Sequence, residues 1–505
     1  MSRPSARTGL WLGVAAFLGF ALTGGGRIVG SDEVTMLELA RAMLHGGIAV
    51  PVGATLDGPD GRHYTKNAAG QAVLALPLVA AAEAAADRLP RLGPRRVLAV
   101  RFAVSFFNAL IAALVLVAFH ALVRALSVRA GPALAATAML GLTTPLWVYA
   151  KSFMAEPLQA LGLLLALSGS ARAALGERRG AWWAGLGVML AVSAKLSMLP
   201  FALLGLWPLR GAEPRDRVPP LLMLALALAG HGAYDLARFG TVLETGYGAQ
   251  ATPAAYSTPL LVGLYGLLLS SGKGIAWFAP ALWLAPAGLR RLRGAGPTHA
   301  RTAVTIALAW AGALLLYARF QHWAGDGSFG PRYLVPFLPL AFVLVAFALD
   351  GASRSRRVIA RALAALGLIV QVGGVAVYFG AQMREAGDYP YRLALDDPHF
   401  MSDSHFNPRF SPIAGHWRML VRNAGEHLAG RAPRLMGGGE PDPRLGLSAA
   451  DQEALLHALD FWWLYALYAG LPAAPVLGAL ALLLLLTGWA LARLKAALAA
   501  DAAVP

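Results

Sequence analysis

Residues 98–125 read LAVRFAVSFFNALIAALVLVAFHALVRA. Between Arg101 and Arg124 the stretch carries no formal charge at pH 7 with His120 neutral. About 20 such residues in a helix cross a hydrocarbon core of roughly 30 Å. The run ends in Arg124, and Arg129 follows before the next apolar run begins near residue 131. That alternation of long apolar runs with arginine-bearing breaks continues outward in both directions. It predicts an all-α polytopic membrane protein with about 12 spans. The first covers 8–24. The others fall near 98–125, 131–148, 154–171, 181–194, 197–208, 219–237, 274–290, 302–319, 333–350, 357–379 and 474–494.

Composition agrees. Of 505 residues, 57% are hydrophobic and 14% charged, and mean hydropathy is +0.56. Soluble globular chains carry about 25% charged residues. The formal net charge of +16 is spread between apolar runs, where it orients the chain against an anionic leaflet rather than marking nucleic-acid affinity. There is no cysteine, which excludes disulfides and metal–thiolate sites.

Arg3 and Arg7 precede the apolar stretch Gly9–Leu22 without a clean small-residue cleavage site after it, which reads as an uncleaved first span. Arg124 and Arg129, Arg172, Arg178 and Arg179, Arg290, Arg291 and Arg293, Arg354, Arg356 and Arg357, and Arg493 with Lys495 then share one side. The positive-inside rule makes that side cytoplasmic, with both termini inside. Splitting 181–208 into two short spans keeps Arg210, Arg215 and Arg217 on that side too. The expected organisation is a transmembrane catalytic module over 1–379, including a long outer loop at 25–97. An extracytoplasmic segment or small domain follows over 380–460. An aromatic interfacial stretch, the last span and a cytoplasmic tail occupy 461–505.

The 25–97 loop has readable local structure. Ser31 suits an N-cap, and Asp32 and Glu33 follow in the first turn, where carboxylates favour the helix dipole. Met36, Leu39, Ala40 and Met43 recur at helical spacing until Gly46 and Gly47, which reads as an amphipathic surface helix. An extended stretch, Pro51–Leu56, leads into the turn at 57–61, and His63, Tyr64 and Lys66 leave it. A second apolar helix near Gln71–Ala86 is expected at the surface. Asp32 and Glu33 are the candidate catalytic carboxylates; a base there could deprotonate an acceptor hydroxyl. Their bland alternative is helix-start stabilisation.

Lysine is rare: of five, Lys66, Lys151, Lys195 and Lys273 fall at the outer end and only Lys495 inside. A cation near lipid needs an anionic partner. A lipid-linked phosphate would serve, and so would a local acid, for instance Glu156 for Lys151. Between two spans, Trp323 to Tyr333 is glycine-rich and carries Asp326 and Arg332. An arginine fork at a helix start suits phosphate. Lys66, Lys273, Arg332, Lys151 and Lys195 are therefore the candidate phosphate-binding set. His63, Tyr64, Trp323, Asp326 and Tyr333 are candidate substrate contacts.

Several patterns together resemble the GT-C glycosyltransferase superfamily. They are Ser31-Asp32-Glu33 followed by 47–51, His63–Lys66 with Gly70-Gln71, Trp147–Lys151 with Glu156-Pro157, 263–274, and Phe329–Tyr333 with Pro336. The resemblance spans roughly residues 8–350. It lies with bacterial enzymes using polyprenyl-phosphate sugars, of the protein mannosyltransferase and lipid A aminoarabinose transferase type. It implies Asp32 as catalytic base or acceptor-site residue, outer basic residues on the carrier phosphate, an inverting hexosyl or pentosyl transfer, and a plasma-membrane enzyme with an extracytoplasmic active site. The implied partners are a polyprenyl-phosphate-linked sugar, a lipid, glycan or protein acceptor and membrane lipids, with no nucleic acid. Lipid A-modifying relatives carry Glu before the loop lysine, where this chain has Thr65. No cofactor is assigned, and a divalent metal is left open. The alternative is a transporter or flippase of a lipid-linked or polar substrate. That would place paired broken helices and charges at the midplane, whereas these charges gather at helix ends. A non-catalytic scaffold is a third reading, with Asp32 kept for capping.

Overall fold

Apolar periodicity becomes helix almost throughout. The computed structural model describes residues 6–51, 55–388, 393–394, 397, 399–430, 459–468 and 470–503. In chain order the first helices are α1 (Ala6–Leu22), α2 (Ser31–Leu44), α3 (Gly70–Asp87), α4 (Arg96–Val104), α5 (Phe107–Ala125), α6 (Ala130–Leu142) and α7 (Leu146–Tyr149). There follow α8 (Glu156–Ala174), α9 (Arg179–Ala194), α10 (Leu199–Gly205), α11 (Val218–Phe239), α12 (Leu260–Leu268), α13 (Ile275–Phe278), α14 (Ala285–Gly294) and α15 (Pro297–Arg319). The last are α16 (Leu338–Leu349), α17 (Arg354–Ala376), α18 (Phe379–Ala386), α19 (Ser402–Phe406), α20 (Pro412–Leu428), α21 (Trp462–Tyr468) and α22 (Ala473–Ala503). Among the described residues the only sheet is one antiparallel pair, β1 (Thr55–Asp57) with β2 (His63–Thr65), Leu56 opposite Tyr64.

Among the described residues seven helical stretches are long and apolar enough to cross a membrane, and α1 and α6 are shorter apolar helices. The chain is a polytopic membrane protein. Each expected span falls on helical residues, yet several are short or broken. The 274–290 segment is α13, a 3-10 stretch at Pro280–Leu284 and then α14. Pro280 and Pro286 lack the N–H an unbroken ladder needs. The split of 181–208 occurs at Lys195, whose backbone is extended. The stretch between the expected spans 219–237 and 274–290 contains the apolar α12, packed on α15. The stretch Gly70–Asp87, expected at the surface, meets the length and apolarity of a span; one face packs on α2 and α4.

The core is built where helices can approach closely. On α8 and α9 a methyl group added at Gly169 would lie 2.2 Å from the Ala184 nitrogen, and one at Gly187 2.2 Å from that of Ala166. Small residues let two membrane helices touch by backbone. α16 passes through the centre, with Leu338 to Ala348 all buried. α1 lies against α22, with Trp11 edge-on to Trp489 at 4.7 Å and the Thr8 hydroxyl donating to Asp501 at 2.8 Å.

The two ends of the bundle separate the charges. At one end Arg129 pairs with Asp350 at 2.5 Å, Arg291 lies against Gly351, and Arg301 against Gly211. At the other end Asp32, Lys66, Lys151, Lys195, Lys273 and Arg332 meet their neighbours.

Candidate functional site

Several separate stretches of chain converge at that second end. α2 begins at Ser31 with Gly30 as its cap, one residue before the expected one. Glu33 reaches back to accept from the Gly30 N–H at 2.8 Å. This fixes the first turn and leaves Asp32 facing the site. The Asp32 carboxylate meets the Arg332 Nη2 at 3.0 Å through Oδ2, and the Lys66 ammonium at 3.9 Å through Oδ1. Arg332 opens the 3-10 stretch Arg332–Phe337 that leads into α16. Its Nε donates to Glu156 Oε1 at 2.5 Å. Glu156 is the first residue of α8, so both edges of one guanidinium carry a carboxylate.

Lys195 completes the group. It is supplied by the break between α9 and the next turn, and its ammonium lies over the rings of Tyr333 at 5.1 Å and Tyr247 at 5.9 Å. Lys66 approaches the same Tyr247 ring at 6.0 Å. Tyr333 in turn stacks on Tyr317, with centroids 4.6 Å apart. The cluster thus contains three cations, Lys66, Lys195 and Arg332, facing two carboxylates, Asp32 and Glu156.

Electrostatics follow from this arrangement. Burial works to raise the Asp32 carboxyl, but Arg332, Lys66 and Lys195 outweigh it and hold the group below its ordinary range. Glu33 goes the other way: burial pushes it up, against the opposing N–H groups of Phe153 and Gly30. Burial, with repulsion from Arg332, brings Lys195 down to about 8. Asp32 is therefore ionised and exposed to the cluster, whereas Glu33 faces backbone. Phe153 donates its N–H to Glu33 Oε1 at 2.6 Å.

The other candidates lie apart from Asp32. The expectation that Lys151 finds phosphate or Glu156 is corrected: Lys151 belongs to a buried group with Asp460 and Arg27. Its ammonium is 3.0 Å from Asp460 Oδ2 and donates to the Val375 carbonyl at 2.5 Å and to the Asp460 carbonyl. Arg27 holds the other oxygen of Asp460 at 2.5 Å. A small, partly open cleft lies between this group and Glu33, with Tyr149 and Tyr378 in its wall. Lys273 is buried and donates to the backbone carbonyls of Asp326 at 3.0 Å and Ser328 at 2.7 Å. Burial takes it down to about 7. Asp326 has a positive φ of 50° and contacts His322 at 3.4 Å. Trp323 packs on His405 and Phe406, at 5.3 and 5.5 Å between centroids. On the β hairpin, His63 pairs with Asp57 at 2.7 Å and the Tyr64 hydroxyl donates to Asp60 at 2.6 Å. Among the described residues no three His, Asp or Glu side chains gather as metal ligands would.

Of the expected site, Asp32, Lys66, Lys195, Arg332 and Tyr333 come together. Glu156 and Tyr247 join them without having been expected there. Glu156 was visible as a neighbour for Lys151 and as part of the Glu156-Pro157 pattern, and Tyr247 sits in a segment with no periodicity to flag it. Much of 380–460 lies outside the described residues; α18, α19 and α20 are its described helices.

No protein-family model and no curated protein matches this chain. Two solved structures follow a similar course. One is ArnT from Cupriavidus metallidurans bound to undecaprenyl phosphate, at 15% identity and TM-score 0.47, covering 96% of this chain and 77% of that one. The other is the same protein in the apo state, at 16% identity and TM-score 0.47, covering 97% and 76%. A likeness of this size carries no argument about chemistry.

Proposed function

We propose that this protein is a membrane glycosyltransferase that moves a sugar from a polyprenyl-phosphate carrier to an acceptor on the extracytoplasmic face. The observation that carries the reading is the cluster of Lys66, Lys195 and Arg332 gathered around Asp32 and Glu156. It sits at one end of the spans, where a lipid phosphate would lie. One cation exceeds the carboxylates, so a phosphodiester monoanion neutralises the cluster. Charge-assisted hydrogen bonds from lysine and arginine are the strong ones for such a ligand. Tyr247, Tyr317 and Tyr333 give flat apolar walls beside it.

The chemistry then needs two things, and the cluster has both. Asp32 takes the proton of the acceptor hydroxyl as its oxygen attacks the anomeric carbon. The bond from that carbon to the carrier phosphate breaks, and its electron pair stays on the phosphate oxygen. The leaving group is a phosphate monoester, and Arg332, Lys66 and Lys195 stabilise the charge it gains. Attack opposite the leaving group inverts the anomeric centre. The active site faces outward and both termini inward, because the arginine-rich ends lie opposite this cluster. A transmembrane catalytic module over 1–379 carries the site, with the segment after it shaping the acceptor side.

The test is transfer from synthetic polyprenyl-phosphate sugars to an envelope acceptor fraction. Wild type should transfer. Asp32→Asn should insert normally, bind donor and lose about 10²–10⁴-fold in rate, the typical contribution of a general base. Wild-type turnover in Asp32→Asn returns that residue to helix capping.

A further inference from the structure

We infer that carrier phosphate displaces Asp32 from Arg332 and Lys66, so that donor binding itself converts the carboxylate from ion-pair partner to general base, with Glu156 as the positioning residue that keeps the guanidinium in place. The inference rests on the glycosyltransferase reading and concerns how that site is switched on.

The geometry makes the two carboxylates unequal. Glu156 is 3% exposed and takes the Nε edge of Arg332 at 2.5 Å. Asp32 is 18% exposed and takes Nη2 at 3.0 Å, with Lys66 beyond at 3.9 Å. Asp32 is therefore the looser partner, on the more open side. A phosphate entering between Lys66, Lys195 and Arg332 needs the donors that Asp32 now occupies. Its oxygens outcompete one carboxylate because they accept from all three cations at once. Glu156 has no reason to leave: α8 begins at that residue, and the side chain is closed in by the bundle.

The consequence concerns proton affinity. The groups facing Asp32 are Arg332, Lys66 and Lys195, with Glu156 and the Tyr247 hydroxyl from the neighbouring elements and Glu33 on its own helix. Three of these are cations that favour the ionised form. Once phosphate takes over their hydrogen bonds, the cations offset the burial of Asp32 less, and an anion has been added nearby. Both changes raise the affinity of Asp32 for a proton. A carboxylate too well paired to act as a base before donor binds becomes a competent one afterwards. Acceptor hydroxyls are thus activated only when a donor is present.

The probe is the methyl diester of a short polyprenyl phosphate. It carries one charge and does not titrate near neutrality. Binding is measured calorimetrically at mildly acidic pH, in buffers of different ionisation enthalpy, on detergent-solubilised full-length protein. Wild type should take up a fraction of a proton per lipid bound. Asp32→Asn should bind at least as tightly and take up none. Glu156→Gln should bind about tenfold or more weakly yet keep Asp32-dependent uptake in the fraction that binds. Binding with equal proton uptake in wild type and Asp32→Asn overturns the displacement. Unchanged affinity in Glu156→Gln overturns its positioning role. Failure of the diester to bind wild type overturns the donor reading itself, and the displacement with it.

Discussion

Replacing Lys151 by methionine separates two accounts of a buried lysine. Methionine keeps most of the stem and removes the ammonium. In the structure that ammonium has three acceptors: Asp460 Oδ2 at 3.0 Å, the Val375 carbonyl at 2.5 Å and the Asp460 carbonyl. An ammonium has three protons, so none is left for a lipid phosphate. Lys151 and Asp460 have 6% and 7% of their side chains exposed, so water cannot take over. Breaking a buried pair from one side costs about 3–5 kcal/mol. Asp460 retains Arg27 at 2.5 Å, which places the expected loss at about 3 kcal/mol, the lower end of that range. That is roughly a hundredfold in the folded-to-unfolded ratio. Thermal unfolding in detergent, followed by intrinsic fluorescence, should show a lower midpoint. Donor affinity of the protein that remains folded should stay within about threefold of wild type. An unchanged midpoint with donor binding weakened tenfold or more would refute the reasoning and return Lys151 to the phosphate.

Lys195→Met should leave the unfolding midpoint near wild type and weaken binding of a polyprenyl-phosphate lipid by roughly 10- to 100-fold, the worth of one charged hydrogen bond, measured by the same calorimetry. Gly169→Val should cost about 2 kcal/mol or more by forcing α8 from α9, since its Cβ would sit 2.2 Å from a backbone nitrogen; a lower melting midpoint checks it. Asp32 is held below its ordinary value of 3.8 in the folded protein. Its unfolded form binds protons more readily, so its contribution is complete above 3.8 and disappears as pH falls through the lower folded value. Asp32→Asn should therefore flatten the acid limb of a stability-against-pH profile in the absence of donor.

What could be read from the chain was what depends on local pattern. Apolar runs located the helices, and arginine placement separated the two ends. The need to keep Arg210, Arg215 and Arg217 together located the break at Lys195. Lys66, Lys195 and Arg332 were legible because charges at span ends demand partners, and Asp32 because it opens a surface helix after Ser31. Which partner each found was not legible. Arg332 reaches Glu156 across 176 residues and Lys151 reaches Asp460 across 309, and no periodicity records such pairings. Lys273 is satisfied by carbonyls of the 326–328 turn. Backbone acceptors exist everywhere in a sequence, so they single out nothing. His63 and Tyr64 read as site residues because they leave a turn, yet the hairpin spends both on its own aspartates.

The Arg27–Asp460–Lys151 group also bears on how the protein is made. Arg27 and Lys151 leave the ribosome early, and Asp460 emerges only when the last helix is about to follow. α1 meets its partner α22 later still. During synthesis the segment after α1 is therefore made with its anchoring acid not yet translated. A chain stopped before residue 460 would present two membrane-boundary cations lacking that shared anion, and a first helix without its flanking neighbour. Both lacks are made good when Asp460 closes on Arg27 and Lys151 and Trp489 packs on Trp11.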